Sequence, residues 1–376
     1  MLTPRENLLR VFRHEVPEWL PIVGHVDAYN QPSREGMEPG LTASLEGQPD
    51  WGPTGIIDFC RTLGLDIMDR VGPPVTSHND SVVAHSEWEG EVLHNWWETP
   101  LGELHERKRR ANVTAPYYTI EHALKTGLDL RILAGLFESE QFELDPAGVE
   151  ALRERRALVG DGGIVTLSMP ATPLGNLVRI YAGVEQLAYL HVDRPTELHD
   201  LLAVMEDNYL RQMRLAVTLE PEAVISYDDT STTTISPTMF RDLEAPYINR
   251  AAGICHDAGK LYIHHSCGLL RDLLGWYAQT DMDAVDALCV KPIGDVTLAE
   301  ARRRLGPGIT IMASLVQLCQ PPGDSETMRR SVEEMLGETA PGDNLVLILF
   351  ADPRWTMAQT QALAECAKAC RWRRMG

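Results

Sequence analysis

The sequence predicts a (β/α)8 TIM barrel with an antiparallel hairpin insertion. Three observations carry that expectation. Short apolar runs rich in Val and Ile alternate with longer stretches of helical period, the pattern of βα units around a parallel sheet. Eight such runs can be counted along the chain. The length, 376 residues, is one that a single barrel-type domain reaches. The expected organisation is therefore one domain over residues 1–376, with an insertion around 78–110.

The candidate strands are Pro21 to Val26, Asp66 to Val71, Gly163 to Met169, Ala223 to Tyr227, Lys260 to His264, Met282 to Ala287, Ile309 to Ala313 and Leu345 to Phe350. Helical periodicity covers Pro4 to His14 before the first strand, Pro173 to Tyr181 and Pro195 to Leu219 before the fourth, and Pro237 to Ala258 before the fifth. Thr297 to Leu305, Ser325 to Leu336 and Met357 to Arg371 complete the C-terminal ring. Ser236 followed by Pro237 is a helix start, with the serine as N-cap and the proline at the first helical position. The insertion has another texture: Asp80 to Trp88 and Glu91 to Trp97 alternate around Glu89-Gly90, and Thr99-Pro100-Leu101-Gly102 makes a second turn. It is expected to lie over one barrel mouth as a lid, or to form a homodimer contact.

Charge and cysteine usage narrow the function classes. Lys and Arg total 34 against 54 Asp and Glu, a formal charge of −20, and no basic run offers a track for a phosphate backbone. A nucleic-acid partner is excluded on that ground. Met1 to Arg13 is charged and helical rather than a signal peptide, and no stretch has the 18 consecutive apolar residues of a membrane span. The reading is a cytoplasmic protein with no membrane partner. Seven cysteines, at 60, 255, 267, 289, 319, 366 and 370, are odd in number and fit reduced thiols. The phosphate-cradle, dinucleotide and serine-hydrolase glycine motifs and H-E-x-x-H are all absent.

The densest chemistry follows the fifth strand, where Leu261-Tyr262-Ile263 runs into His264-His265-Ser266-Cys267-Gly268. In a barrel this is the C-terminal face, where active sites sit. Residues two apart at a strand end point the same way, so the His265 imidazole and Cys267 thiolate can converge on one Zn2+ ion. The plainer reading of so short a motif is a buried histidine beside a small buried thiol. Asp228 and Asp229 follow the fourth strand and are candidates for acid, base or cation-anchoring work, or for holding a ligating histidine. The plainer reading there is a cap and a solvated neighbour. Tyr227 beside them, with His25, Asp27 and Tyr29 after the first strand, are candidate substrate-binding residues at the mouth.

Three stretches together resemble the uroporphyrinogen decarboxylase superfamily, which includes the cobalamin-dependent methyltransferases. Arg5-Glu6-Asn7-Leu8-Leu9-Arg10 through Val16-Pro17-Glu18-Trp19-Leu20-Pro21 is similar to the family's opening helix and its lead into strand one. Asp228-Asp229 through Ile235-Ser236-Pro237, then Phe240-Arg241 and Pro246, resembles a second block, and Gly259 with His264 to Gly268 resembles a third. The resemblance implies the barrel independently of the strand count. It is closer to the methyltransferase branch: the segment Asp27 to Gly40 carries Arg34 as its only arginine, and Leu65 to Arg70 is a poor match to the decarboxylases' aspartate motif. It implies His265 and Cys267 as zinc ligands, with Asp352 near the place of a third and Cys319 a weaker substitute. It implies catalytic work for Asp228, Asp229 and His265, a small methylated substrate or thiol, and cobalamin on a partner corrinoid protein. The alternatives are a porphyrin-pathway decarboxylase, marked by a cluster of arginines in the mouth, and a non-catalytic corrinoid or substrate binder.

Overall fold

The computed structural model describes residues 1–25, 55–109, 118–315, 325–337, 344–350 and 356–371. Strands β1 (Ile22–His25) and β2 (Ile67–Val71) begin a parallel sheet. Six short strands follow outside it: β3 (Val75–His78), β4 (Val83–Glu89), β5 (Val92–Thr99), β6 (Gly102–Arg109), β7 (Tyr118–Glu121) and β8 (Gln141–Leu144). The sheet resumes with β9 (Gly163–Met169), β10 (Ala223–Tyr227), β11 (Leu261–His265), β12 (Ala284–Leu288), β13 (Thr310–Ser314) and β14 (Leu345–Phe350). Its order is β1-β14-β13-β12-β11-β10-β9-β2, and a parallel bridge between Val23 and Asp66 brings the two ends together. This is the (β/α)8 TIM barrel, and its eight strands coincide with the eight sequence candidates to within about two residues at each end.

Alternation along each strand builds two cores. Val23, Met68, Ile164, Ile225, Ile263, Ala284, Met312 and Ile348 point inward and fill the barrel, while their neighbours, among them Leu167, Val224, Tyr262 and Val285, pack under the helical layer. The first helix, Pro4–Phe12, closes the lower end with Leu8, Val11 and Phe12, all buried with the inner set. Thr3 starts that helix with a capping box, its hydroxyl accepting the Glu6 N–H while the Glu6 carboxylate accepts the Thr3 N–H. Each fully buried aliphatic side chain in these layers is worth about 1.5–3 kcal/mol, so the wall is a stiff frame for whatever its rim carries.

Two expected helices are interrupted by π-helical turns: Leu177–Tyr181 follows Pro173–Asn176, and Phe240–Glu244 separates Pro237–Met239 from Ala245–Asp257. Helices Gly127–Ser139, Pro146–Val159 and Gly183–Asp193 are additions to the sequence reading. The insertion is larger than a hairpin. Strands β4 to β7 make a four-stranded antiparallel sheet that continues to Glu121, and β3 pairs separately with β8. The first turn falls at Gly90, whose φ of +61° suits glycine, and His85 stacks on Trp96 across the β4–β5 pair at 4.6 Å. Strand β6 packs against the helix Gly127–Ser139 and buries Leu104. No helix among the described residues is long and apolar enough to cross a membrane.

Candidate functional site

Three neighbouring strands deliver polar side chains to one level of the upper rim. In the sheet register Tyr227 lies beside His265, and His265 beside Asp286. Each follows an inward-pointing residue by two positions, so all three face the barrel mouth. Arg70, two beyond Met68 on β2, joins them from across the barrel.

Asp286 organises this group. Its Oδ2 lies 2.7 Å from His265 Nδ1, and its two oxygens accept Arg70 Nη1 and Nη2 at 2.8 and 2.7 Å. Burial opposes its negative charge, but Arg70 and His265 outweigh burial and hold the carboxyl well below the usual range. An ionised carboxylate only accepts, so His265 donates from Nδ1 and keeps its Nε2 lone pair free for a ligand. Arg70 Nη1 also donates to the Tyr227 hydroxyl at 3.2 Å, and the Tyr227 ring lies 5.0 Å from the His265 ring.

Beyond the strand ends, Asp229, His265 and Cys267 converge. Each offers a ligand atom, and these atoms lie within 4.8 Å of one another. The Cys267 thiol donates to Asp229 Oδ1 at 3.2 Å, and the other Asp229 oxygen pairs with Arg179 Nε at 3.2 Å. Arg179 stands on the Leu177–Tyr181 turn and also donates to the Tyr227 carbonyl. Burial and the Asp229 charge push the Cys267 thiol up to about 12, so a nearby cation is what would draw it to the thiolate. One nitrogen, one sulfur and one oxygen suit Zn2+, and the Asp286–His265 hydrogen bond is the outer partner that a ligating histidine uses. The donors fit the metal that the sequence implied. The Cys267 position depends on Gly268, at φ +101°, where a Cβ would meet the Ser231 side chain at 2.8 Å.

The adjacent residues Asp228 and His264 point the other way, into the layer between the barrel wall and the helices. Asp228 is fully buried and accepts both the Thr172 N–H and, at 2.9 Å, the Thr172 hydroxyl. Glu244, also buried, accepts the Thr230 hydroxyl at 2.9 Å. Burial pushes Asp228 up to about 7, and burial together with the Asp228 charge pushes Glu244 well up. Burial drives His264 the other way, down to about 3, so its ring is neutral.

Of the sequence candidates, Tyr227, Asp229, His265 and Cys267 come together at the mouth, and Asp228 lies behind the wall. His25 ends β1 beside Phe350, their rings 4.6 Å apart. Asp27, Tyr29, Asp352 and Cys319 fall outside the described residues. Sequence reasoning assigned no role to Arg70, Asp286, Arg179 or Glu244. The first two carried a signal, because each is a charge set within a short, largely apolar strand. A cavity of about 390 Å3 lined by Val71, Asp145, Leu152 and Arg155 lies on the flank and contains none of the mouth residues.

Comparison with known proteins agrees with this frame. The uroporphyrinogen decarboxylase (URO-D) family model matches residues 160–349, which is half of the chain. No curated protein matches by sequence. Among solved structures, a methyltransferase from Methanosarcina mazei superposes with a TM-score of 0.61 at 14% identity, covering 98% of this chain and 99% of that one. A B12-independent methionine synthase from a Shewanella strain, in complex with selenomethionine, gives a TM-score of 0.47 at 9% identity over 94% of this chain and 93% of that one, too loose a match to carry an argument. At such identities the first likeness shows a shared fold and nothing finer.

Proposed function

The chain belongs to the uroporphyrinogen decarboxylase family, and on that premise we propose that it is a single-domain, corrinoid-linked methyltransferase. It moves a methyl group between a small methylated substrate or thiol and cobalamin, which a separate corrinoid protein carries. The observation that supports this most is the convergence of Asp229, His265 and Cys267 within 4.8 Å at the mouth of the barrel. A zinc ion bound there supplies Lewis acidity that lowers the pKa of a coordinated thiol.

The remaining work falls to the chain. His265 and Cys267 are ligands in this reading, Asp229 supplies an oxygen donor, and Asp352 stands near the end of the last strand as a further one. Asp286 fixes the His265 ring so that Nε2 faces the mouth. Arg179 holds the Asp229 carboxylate in place. Tyr227 and His25 border the substrate in this reading, and Asp27 and Tyr29 are assigned to it from their sequence positions after β1. Asp228 supports this rim from behind through Thr172.

The arginines weigh against decarboxylation of a polycarboxylated substrate. Such a substrate needs cations free to pair, and the described mouth has Arg70 committed to Asp286 and Arg179 to Asp229. Metal analysis of the purified protein, joined to an absorbance assay with cob(I)alamin, tests the proposal across methylated amines, thiols and methoxyaromatics. A metal-free protein that transfers no methyl group from any of them to cob(I)alamin, and none from methylcobalamin to a thiol, would sink it. If Cys267→Ser left metal content, ligand binding and turnover all unchanged, the barrel would instead be a binder.

A further inference from the structure

Behind the mouth, Asp228, Glu244 and His264 offer three ligand atoms within 4.8 Å of one another, all in fully buried side chains. We propose that they form a second metal site, distinct from the one at the mouth, that takes a divalent transition-metal ion between the barrel wall and the helical layer.

The argument rests on one nitrogen atom. His264 Nδ1 lies 3.4 Å from Ser226 Oγ, which is itself 2.6 Å from the Tyr262 hydroxyl, and this contact accounts for the ring hydrogen. The other nitrogen, Nε2, has no hydrogen-bond partner although the residue is completely buried. A buried polar atom left that way costs about 1–3 kcal/mol, so native structures rarely keep one. What faces it is the Glu244 carboxylate, with Oε1 at 3.7 Å. Two lone-pair-bearing atoms at that distance repel unless something positive sits between them. At 3.7 Å the gap is too long for a hydrogen bond. It is within reach of a shared ion, since metal bonds of about 2.1 Å to each atom span up to about 4.2 Å.

The rest of the cluster fits an ion of this class. Asp228 Oδ2 is 3.8 Å from Nδ1 of the same ring, and one ligand atom from each of the three residues lies within 4.8 Å of the others, so two carboxylates flank one imidazole. That donor set, harder than the sulfur-bearing set at the mouth, suits Zn2+, Mn2+ or Fe2+. The hydroxyls of Thr172 and Thr230 lie against the carboxylates and can complete the shell or brace it. Burying two ionised carboxylates without a fixed cation is costly, which is why burial favours their protonated forms, and one ion removes both that cost and the unpaired nitrogen. It would tie β10 and β11 to the Phe240–Glu244 turn.

Cobalt incorporated during expression reads the two sites apart. A thiolate ligand gives Co2+ an intense near-ultraviolet charge-transfer band, whereas an imidazole and carboxylate site gives visible d–d bands alone. The double variant Cys267→Ser, His265→Ala dismantles the mouth site, and it is expected to retain one Co2+ per chain with no thiolate band. Glu244→Gln, close in shape, is expected to lose that equivalent. A double variant that purifies without cobalt, or a Glu244→Gln chain that binds as much as the wild type, overturns the proposal. The outcome is independent of methyl transfer, which can fail while the double variant still holds its ion.

Discussion

His265 is clamped by Asp286, with Nδ1 2.7 Å from Oδ2, and the same carboxylate anchors both Nη groups of Arg70. One buried charge therefore fixes a ligand and neutralises an arginine. Asp286→Asn is expected to weaken zinc binding by about 10–100-fold, the usual effect of losing the outer partner of a ligating histidine. It also leaves Arg70 buried and uncompensated, which costs about 3–5 kcal/mol. Zinc titration and urea unfolding read the two effects separately.

Asp229 faces the Cys267 thiol and raises its pKa. In metal-free protein, Asp229→Asn is expected to bring that pKa down, and each unit recovered raises the thiolate fraction about tenfold. Alkylation rates against pH, with Cys267 followed by peptide mass spectrometry, measure the shift. A profile that does not move would mean that burial alone holds the thiol protonated.

The buried cluster gives metal-free protein an inverted pH dependence. Asp228 and Glu244 have raised folded pKa values, so between about pH 4 and 7 the folded chain keeps protons that the unfolded chain releases, and stability falls as pH rises. His264, lowered to about 3, acts in the opposite sense: its contribution is present above the unfolded histidine pKa and is lost as pH falls. Two carboxyls against one imidazole leave a net loss with rising pH. Glu244→Gln removes one carboxyl, so its stability relative to wild type should climb from pH 4 to 7, by at most about 1.4 kcal/mol per pH unit. Urea midpoints of the two chains across that range show the trend or its absence.

Gly175 sits at the start of the helix beside the cluster, and a Cβ there would fall 1.9 Å from Asp228 Oδ1. Gly175→Ala must displace the carboxylate or the helix. A loss of about 1–3 kcal/mol in unfolding free energy is expected, typical of overpacking a dense interior. The same change at Gly253, which has open space around its Cβ, should cost nothing comparable and serves as the control.

The barrel was legible because each of its strands is buried on both sides and so reads as an apolar run, and His265 and Cys267 because they are near neighbours in sequence. The helix Pro146–Val159 was hidden by its exposure: only Leu152 and Val159 are buried, too few to display a period. The Asp286–Arg70 pair spans 216 residues, and Glu244 meets the Asp228 cluster from a separate helix. No local pattern announces a pairing that only barrel closure creates. The hairpin was visible through Gly90, but β7 is only four residues long and has no fully buried face, so it shows no period of its own.

The two π-helical turns make the site depend on counting. Arg179 lies within Leu177–Tyr181 and Glu244 ends Phe240–Glu244, and each turn is in effect one extra residue slipped into an otherwise ordinary helix. Because the bulge absorbs the extra residue, removing one from either turn would restore plain α-helix with the flanking faces still in register, and would displace only the charge that the turn carries. A lineage carrying this barrel can thus withdraw or present a charge by a single codon's insertion or deletion, with every strand left where it was.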